Sequence, residues 1–427
     1  MLSLFLQAFY GGADLAVVGQ FSPTESASAV ATGSQVMQVL TCLITGLTMG
    51  VTVLLGKSIG AGDKRNAGQL VVCQIKLFTV VACLLTVLML CFAPQIAVFL
   101  NVPQAAMAET IRYVRICSAG IVFITAYNGI SGIFRGIGNS RSPFLFVLIA
   151  CIVNVVLDLV LVGGFRMNAS GAALATVFAQ AVSVFFSLGY LRRHPLPFTV
   201  MDHWREKSRN ITKILQVGSP IALQDFLTNL SFLIITAIIN TLGVAASAGV
   251  GISEKLFVFL AIVPMSFMSA LSSFVAQNMG AGNLKRADRA LIAAQRISFC
   301  FGFCMFLLTF FAGRGLASLF VSDPQVITAA ADYLKGSSFE YLLSAITFCF
   351  LGYFNGREHT TFVMIQGLTV SFLVRIPLSY FLSRLPQTGM FLISLAVPAS
   401  AVLNLTLCIL YFIRLRRQDR KDSRPQA

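Results

Sequence analysis

Residues 60–67 read GAGDKRNA and residues 280–287 read GAGNLKRA, and each stretch separates two long apolar runs. The two stretches begin 220 residues apart. Residues 132–136 (GIFRG) and 352–356 (GYFNG) are separated by the same 220 residues. One matched tripeptide is weak evidence, but two motifs with one offset indicate an internal repeat.

Tyr113 and Tyr333 add a third feature at this offset, since each is followed by an apolar and then a basic residue. The glycines of the two GAG stretches follow long apolar runs, where glycine ends a helix without the steric cost that a Cβ atom brings. We therefore assign them a structural role and no role in binding.

The composition is that of a membrane protein. Hydrophobic residues make up 57% of the 427 residues and charged residues 11%, whereas a soluble domain has about 25% charged residues. The net charge is +15, but the basic residues cluster in short loops between apolar runs and no nucleic-acid-binding motif is present. The ten cysteines lie in or beside apolar runs without metal-ligand spacing, so we interpret them as packing residues.

Hydropathy and helix-breaking residues predict an all-α integral membrane protein with about twelve transmembrane helices in two six-helix, pseudo-symmetric lobes. Because each half has an even number of spans, the halves share one orientation, an arrangement known in transporters. The predicted spans are residues 1–20, 29–57, 67–94, 107–135, 142–163, 169–192, 210–241, 246–279, 286–316, 325–355, 361–384 and 389–416.

The domain organisation follows from these spans. We expect an N-terminal lobe at residues 1–193, a linker at 194–213, a C-terminal lobe at 214–416 and a basic tail at 417–427. Lys and Arg concentrate in alternate loops and in the tail, which predicts that both termini are cytoplasmic. Met1 opens directly into an apolar run, so we expect the first helix to be clipped and Met1 to be an internal start.

Ionisable residues inside the spans are costly and therefore point to function. Asp14 follows two glycines, and Asp158 lies four residues after Asn154, on the same helix face. A carboxylate beside an amide, shielded from water, is suited to exchange a proton; the alternative is a structural hydrogen bond between helices. Function and structure are equally plausible for a second candidate cluster, formed by Asp225, Glu254 and Glu340.

The basic residues inside the spans have structural explanations. Lys76 and Lys255 can extend toward an interface, and Arg375 precedes Pro377, where a paired arginine at a kink is expected. The chain has no Walker A loop, zinc-protease motif, nucleophile elbow or dinucleotide fingerprint. We therefore expect no enzymatic activity and no cofactor, with an ion gradient as the driving force.

Taken in order, these motifs resemble the MATE family of multidrug and toxic compound extrusion transporters, and the prokaryotic members in particular. The resemblance covers nearly the whole chain. It depends on the two GAG loops and on the motifs at residues 132–139 (GIFRGIGN), 154–158 (NVVLD), 171–176 (GAALAT) and 263–267 (VPMSF).

The resemblance implies two lobes in a V around a central cavity, and export of amphipathic, usually cationic drugs in exchange for H⁺ or Na⁺. It also implies an ion-coupling and substrate site in the N-terminal lobe around Asp14, with Na⁺ as the one candidate metal ion. The other matching positions are Asn128, Asn154, Asp158 and Thr176. The sequence departs from the family at residues 11–13, where Gly-Gly-Ala replaces a bulkier segment.

The function predicted from the sequence is a multi-pass, monomeric antiporter of organic cations in a bacterial inner membrane. The alternative is a lipid-linked oligosaccharide flippase of the same superfamily. Such a protein handles anionic lipid phosphates and is expected to place Arg and Lys in its cavity, whereas this chain has more acids than bases in its spans. A membrane enzyme and a purely structural protein explain the buried acids less well.

Overall fold

The computed structural model describes residues 2–100, 102–204, 210–385 and 389–422. Within these ranges the chain is almost entirely helical and contains no strand. The predicted chain start at Met1, the basic linker residues 205–209 and the end of the tail at 423–427 lie outside the described residues. The prediction about each of these segments stays a prediction.

The helices follow one another through short turns. Those of the first half are α1 (Leu2–Phe21), α2 (Thr24–Gly60), α3 (Lys64–Phe99), α4 (Gln104–Ala119), α5 (Ile121–Gly136), α6 (Arg141–Asp158) and α7 (Asn168–Arg193). Those of the second half are α8 (Asn210–Asn240), α9 (Val244–Gly280), α10 (Leu284–Ser318), α11 (Pro324–Ser337), α12 (Phe339–Gly356), α13 (Thr360–Val370), α14 (Ile376–Arg384), α15 (Met390–Ser394) and α16 (Ala396–Asp422).

The number of membrane-capable helices agrees with the all-α membrane fold. Nine of the helical segments described are long and apolar enough to cross a bilayer, and two bent helix pairs raise the number to eleven. The bends are 47° between α4 and α5 and 48° between α11 and α12. The first predicted span corresponds to α1, a 20-residue helix outside this count. Hydropathy predicted each of these two bent pairs as a single span, because hydropathy carries no information about the direction of the backbone.

The chain divides into two compact units. The N-terminal unit is Met1–Ala222 with Gly280–Gly282, and the C-terminal unit is Leu223–Met279 with Asn283–Ala427. The lobe boundaries expected from the sequence stay a prediction.

The two GAG loops have the same conformation. Gly62 has φ +73° and Gly282 has φ +67°, so the second glycine of each motif takes the left-handed conformation. The next residue then caps the following helix. Asp63 accepts a hydrogen bond from the backbone N–H of Asn66 at 2.9 Å, and Asn283 accepts one from that of Arg286 at 3.2 Å. The structural role assigned to these glycines is consistent with this geometry.

The repeated glycine motifs are sites of close helix packing. A Cβ atom on Gly132 would collide with Thr48, so α5 approaches α2 closely there. A Cβ atom on Gly352 would lie 2.9 Å from Cα of Met268, so α12 approaches α9 in the same way. Thr48 and Met268 are themselves 220 residues apart. The sequence repeat is therefore also a repeat of helix contacts.

Among the residues that the structure describes, each unit contains one π-helical segment, at Leu159–Gly164 and at Ser371–Arg375. The first begins directly after Asp158, and the second ends at Arg375. Such segments occur often at functional sites because the extra residue per turn rearranges side chains and loosens the backbone ladder. In this protein both segments adjoin an ionisable residue inside a predicted span.

Candidate functional site

Asp14 lies in the middle of α1, which packs against α2, α6 and α7. Its side chain is buried, and the Thr176 hydroxyl of α7 donates a hydrogen bond to Asp14 Oδ2 at 3.1 Å. The same hydroxyl lies 3.0 Å from the carbonyl oxygen of Ala172, within its own helix. The contact connects residues 162 positions apart in the chain, so only the tertiary fold brings them together.

Asn154 and Asp158 extend this site from α6. They are one helical turn apart and fully buried, with 1% and 0% of their surfaces exposed. Both side chains border the Asp14 carboxylate, and Asp158 interacts with it electrostatically. Two carboxylates, one amide and one hydroxyl from three helices therefore converge inside the N-terminal unit.

Much of the hydrogen-bonding capacity of this cluster is unused by the protein. Asp14 Oδ1, both Asp158 oxygens and both polar atoms of the Asn154 amide are buried and have no hydrogen-bond partner among the described residues. Buried polar groups are nearly always paired, and an unpaired one costs about 1–3 kcal/mol. These five atoms lie beside one another, so the cluster has donor and acceptor capacity for a further polar partner.

Two thiols border the cluster and were not identified as site residues from the sequence. Cys117 of α4 and Cys151 of α6 are buried and lie within electrostatic range of Asp14. Cys151 precedes Asn154 by three residues, so it shares the helix face that carries Asn154 and Asp158. The spacing of Cys151 from Asn154 could have identified it as a site residue. Cysteine is common among apolar packing residues, however, so the sequence favoured a packing role.

Asn128 occupies a different position from the other four predicted site residues. It is buried in α5, and its amide donates a hydrogen bond to the carbonyl oxygen of Ile124 at 2.8 Å, within its own helix. The structure brings Asp14, Asn154, Asp158 and Thr176 together and gives Asn128 this local partner.

The C-terminal unit contains a buried ion pair. Arg375 Nη2 lies 2.8 Å from Glu340 Oε1, and both side chains are about nine-tenths buried. The same guanidinium donates to Ser400 Oγ at 3.0 Å and stacks over the Phe232 ring at 5.5 Å. The arginine expected to be paired near a kink is paired, and it sits at the end of the π-helical segment.

Glu254 and Glu340 lie around a shared tyrosine. The Thr236 hydroxyl donates to Glu254 Oε1 at 3.2 Å. The buried Tyr333 lies within electrostatic range of Glu254, Glu340 and Arg375. Tyr333 is equivalent to Tyr113 in the 220-residue repeat, and this equivalence is the feature of the sequence that points to Tyr333. These groups form the cluster of the C-terminal unit.

Asp225 is separate from that cluster. It is half-buried in α8, and its backbone carbonyl accepts a hydrogen bond from the Asn229 amide at 2.8 Å. Lys76 is half-buried and donates to the carbonyl oxygen of Trp204 at 2.6 Å, and Lys255 is exposed. Both lysines therefore reach the surface of the protein.

Across the part of the chain that the structure describes, no three His, Cys, Asp or Glu side chains are grouped as in a multidentate metal centre. The oxygens of Asp14, Asn154, Asp158 and Thr176 are nevertheless the hard ligands that suit an alkali cation rather than a transition metal.

Comparison with known proteins gives a family and a fold. The family model MatE matches residues 1–160 and again residues 220–381, so it matches each half of the chain once. A probable multidrug resistance protein, YpnP of Bacillus subtilis, is 25% identical over 92% of this chain and 86% of its own. The multidrug export protein MepA of Staphylococcus haemolyticus is 24% identical over 97% of this chain and 92% of its own.

Two further matches bear on fold and cargo. A crystal structure of MATE in complex with MaD3S has a TM-score of 0.91 with 21% identity, covering 99% of this chain and 95% of that one. A FAD transporter of Shewanella oneidensis is 28% identical over 73% of this chain and 70% of its own. The structural match demonstrates the fold, and the sequence relatives include a multidrug export protein and a FAD transporter.

Proposed function

Because the chain belongs to the MatE family of transporters, we propose that it exports amphipathic, mostly cationic organic compounds in exchange for protons or sodium ions. Family members are multi-pass membrane transporters rather than enzymes, and small molecules are their cargo. The ion exchange and the positive charge of the cargo are the parts of this proposal that go beyond family membership.

The observation that carries this proposal is the buried Asp14–Asp158 pair with its unpartnered oxygens. Two carboxylates side by side in a low-dielectric site repel each other when both are ionised. A bound proton or cation removes that repulsion and satisfies the free oxygens. The pair is therefore suited to bind positive charge.

Competition for this negative region couples the two fluxes. When a proton or Na⁺ occupies the pair, an organic cation loses its electrostatic attraction and is released. When the pair is empty of ions, the organic cation is attracted again. Because Asp14 is on α1 while Asp158 is on α6, a change in the charge of the pair changes how strongly α1 is held. We propose that α1 bends or shifts in response.

The distribution of basic residues supports an orientation for this cycle. Lys and Arg lie in the loops that follow α2, α5, α7, α9 and α12 or in the helix turns beside those loops, and also at the end of α16. By the positive-inside rule these ends face the cytoplasm. The ion then enters from outside the cell while the drug leaves in the opposite direction. We propose that the transporter works as a monomer in the bacterial inner membrane.

The test is ethidium efflux from proteoliposomes with an imposed proton gradient and, separately, a sodium gradient. We expect efflux to follow one of the two gradients. Asp14→Asn and Asp158→Asn should each abolish the gradient-driven part, because an amide cannot exchange a proton and binds a cation weakly. Asp332→Asn, which neutralises an exposed acid on α11, is the matched control.

Full gradient-driven efflux by properly inserted Asp14→Asn protein would contradict the proposed coupling site. Efflux that responds to neither gradient in the wild-type protein would contradict antiport. It would instead favour the flippase alternative, which is tested by the movement of fluorescent lipid-linked oligosaccharide across the same vesicles.

The FAD transporter among the relatives suggests a second candidate function, export of an anionic dinucleotide. It would need a buried cation to bind phosphate, and Arg375 is the candidate inside a span. Glu340 already neutralises that guanidinium at 2.8 Å, whereas the N-terminal cluster is acidic. The charges therefore favour cationic cargo, and competition between FAD and ethidium in the efflux assay distinguishes the two functions.

A further inference from the structure

The end of α16 carries two chemically different faces. The helix continues beyond its apolar part as far as Asp422. On one face Leu415 is buried, and Asp419 forms a two-pronged ion pair with Arg357, the residue directly after α12, at 2.7 and 3.0 Å. Arg416, on the same face, pairs with Asp288 of α10 at 3.1 Å. This face is therefore held against the C-terminal unit.

The carboxylates that hold α16 in place already have ion-pair or hydrogen-bond partners. Besides Arg416, Asp288 accepts a hydrogen bond from the Tyr353 hydroxyl at 2.7 Å. Tyr353 in turn accepts one from Arg357 at 3.3 Å. Because these groups connect α10, α12 and α16, the rotation of α16 about its own axis is fixed. The side chains on its other face therefore point away from the unit.

Apart from the neutral Gln418, that outer face is cationic where it is described. Arg414, Arg417, Arg420 and Lys421 are exposed and form no ion pair with any described residue. Residues 414, 417 and 421 are spaced three and four apart, so they lie along one side of the helix, with residue 420 adjacent. The preceding residue, Ile413, is exposed and apolar. The cationic stripe thus begins where the exposed apolar surface ends.

We propose that this stripe, Arg414, Arg417, Arg420 and Lys421, binds the phosphate headgroups of anionic phospholipids. Clusters of four or more Lys or Arg residues directly after a membrane span attract anionic lipids, at roughly 1 kcal/mol for each charge. Guanidinium groups also match phosphate oxygens in geometry. The exposed apolar Ile413 adjoins the cations, so a molecule with both an acyl chain and a phosphate matches this surface better than a soluble polyanion does.

The N-terminal unit provides an internal comparison. Its last long helix, α7, ends with only two exposed basic residues, Arg192 and Arg193. Pro195 and Pro197 follow, so the helix has no cationic extension. Neutralising that pair removes positive charge from a helix end without touching the stripe.

The experiment measures lipid binding to the full-length protein in neutral detergent by native mass spectrometry. Phosphatidylglycerol and phosphatidylcholine with the same acyl chains are the probes. We expect the wild-type protein to prefer phosphatidylglycerol. Arg414→Gln/Arg417→Gln/Lys421→Gln should weaken that binding about 100-fold, at about fivefold for each charge, while Arg192→Gln/Arg193→Gln should leave it within about threefold.

The triple variant is expected to fold, because the three replaced side chains are exposed and lie outside the Arg357–Asp419 contact. The single variants Arg417→Gln and Lys421→Gln should each give a partial loss. Unchanged phosphatidylglycerol binding by the triple variant, or equal binding of both lipids by the wild type, would overturn the proposal. So would tighter binding of transfer RNA than of phosphatidylglycerol. Transport is not measured, so the result does not depend on the proposed function.

Discussion

The hydroxyl of Thr176 donates a hydrogen bond to Asp14 Oδ2 at 3.1 Å, and this contact connects α7 to α1. A hydrogen-bond donor stabilises the ionised form of a carboxylate more than it stabilises the protonated form. The contact therefore loses strength when Asp14 binds a proton. Thr176 is in this way positioned to transmit the charge of Asp14 to a neighbouring helix.

Replacing Thr176 by valine removes this donor while keeping the shape of the side chain. We expect Thr176→Val to reduce gradient-driven ethidium efflux several-fold and to displace its pH profile, because the Asp14 carboxylate loses a hydrogen-bond donor. The measurement is initial efflux rate against pH in proteoliposomes. Thr369→Val is the control, since that half-buried side chain donates its hydroxyl hydrogen bond within its own helix, to the carbonyl oxygen of Ile365. An unchanged profile for Thr176→Val would exclude the coupling role.

Gly132 and Gly352 are predicted to be the least replaceable glycines of their helices. A Cβ atom at either position meets the neighbouring helix within 3 Å, and overpacking of this kind costs about 1–3 kcal/mol. We expect Gly132→Ala and Gly352→Ala to lower the apparent melting temperature by several degrees in a thermal-shift assay. Gly189→Ala in α7, where nothing lies within 4 Å, should be neutral or stabilising. Equal stability of all three variants would contradict the packing argument.

Gly11 and Gly12 differ from those glycines, because a Cβ atom on either would meet nothing within 4 Å. Alanine should therefore stabilise α1 by about 0.5–1 kcal/mol at each position. If α1 bends during transport, the stiffer helix should slow efflux while the melting temperature rises. The informative measurement is both quantities on one Gly11→Ala/Gly12→Ala preparation. Faster or unchanged efflux would argue against bending at this point.

His359 lies in the turn before α13, outside the membrane spans, with Nδ1 3.1 Å from the Tyr411 hydroxyl. Burial, and secondarily the Arg357 charge, lower its pKa, and the carboxylates of Asp419 and Glu358 oppose this only in part. The unfolded chain then binds a proton that the folded chain does not. Stability should therefore fall as pH drops below about 6.5 and be unaffected above it.

The check is apparent melting temperature at pH 7.5 and at pH 5.5. Wild-type protein should lose more stability between these values than His359→Gln does. His194→Gln is the control, because His194 is exposed. This variant should show the same difference in melting temperature between the two pH values as the wild-type protein. A His359→Gln profile parallel to that of the wild type would show that another group titrates in this range.

The repeat is the part of the fold that could be predicted most fully. The 220-residue offset predicted equivalent loops, and Gly62 and Gly282 have the same left-handed backbone. The bends at Gly120 and Ser338 were not predicted, because a break of one residue leaves hydropathy unchanged. The π-helical segments after Asp158 and before Ile376 likewise have no signature in the pattern of apolar residues.

For the candidate site, the sequence alone determined the residue types. A charged residue inside an apolar run has few explanations, so Asp14, Asp158 and Glu340 were identifiable without a structure. The repeat and the membrane class were determined in the same way, because a bilayer imposes length and polarity on every span.

Only the tertiary structure decided which of these groups meet. Asp14 joins Thr176 and Asp158, Glu340 is neutralised by Arg375, and Asp225 stays separate. Likewise, among the basic residues of α16, Arg416 is paired with Asp288, whereas Arg414, Arg417, Arg420 and Lys421 are left on the outer face. The physical reason is that hydrophobicity along one helix is a local property. The rotation of that helix and its partners depend on packing against helices distant in the chain.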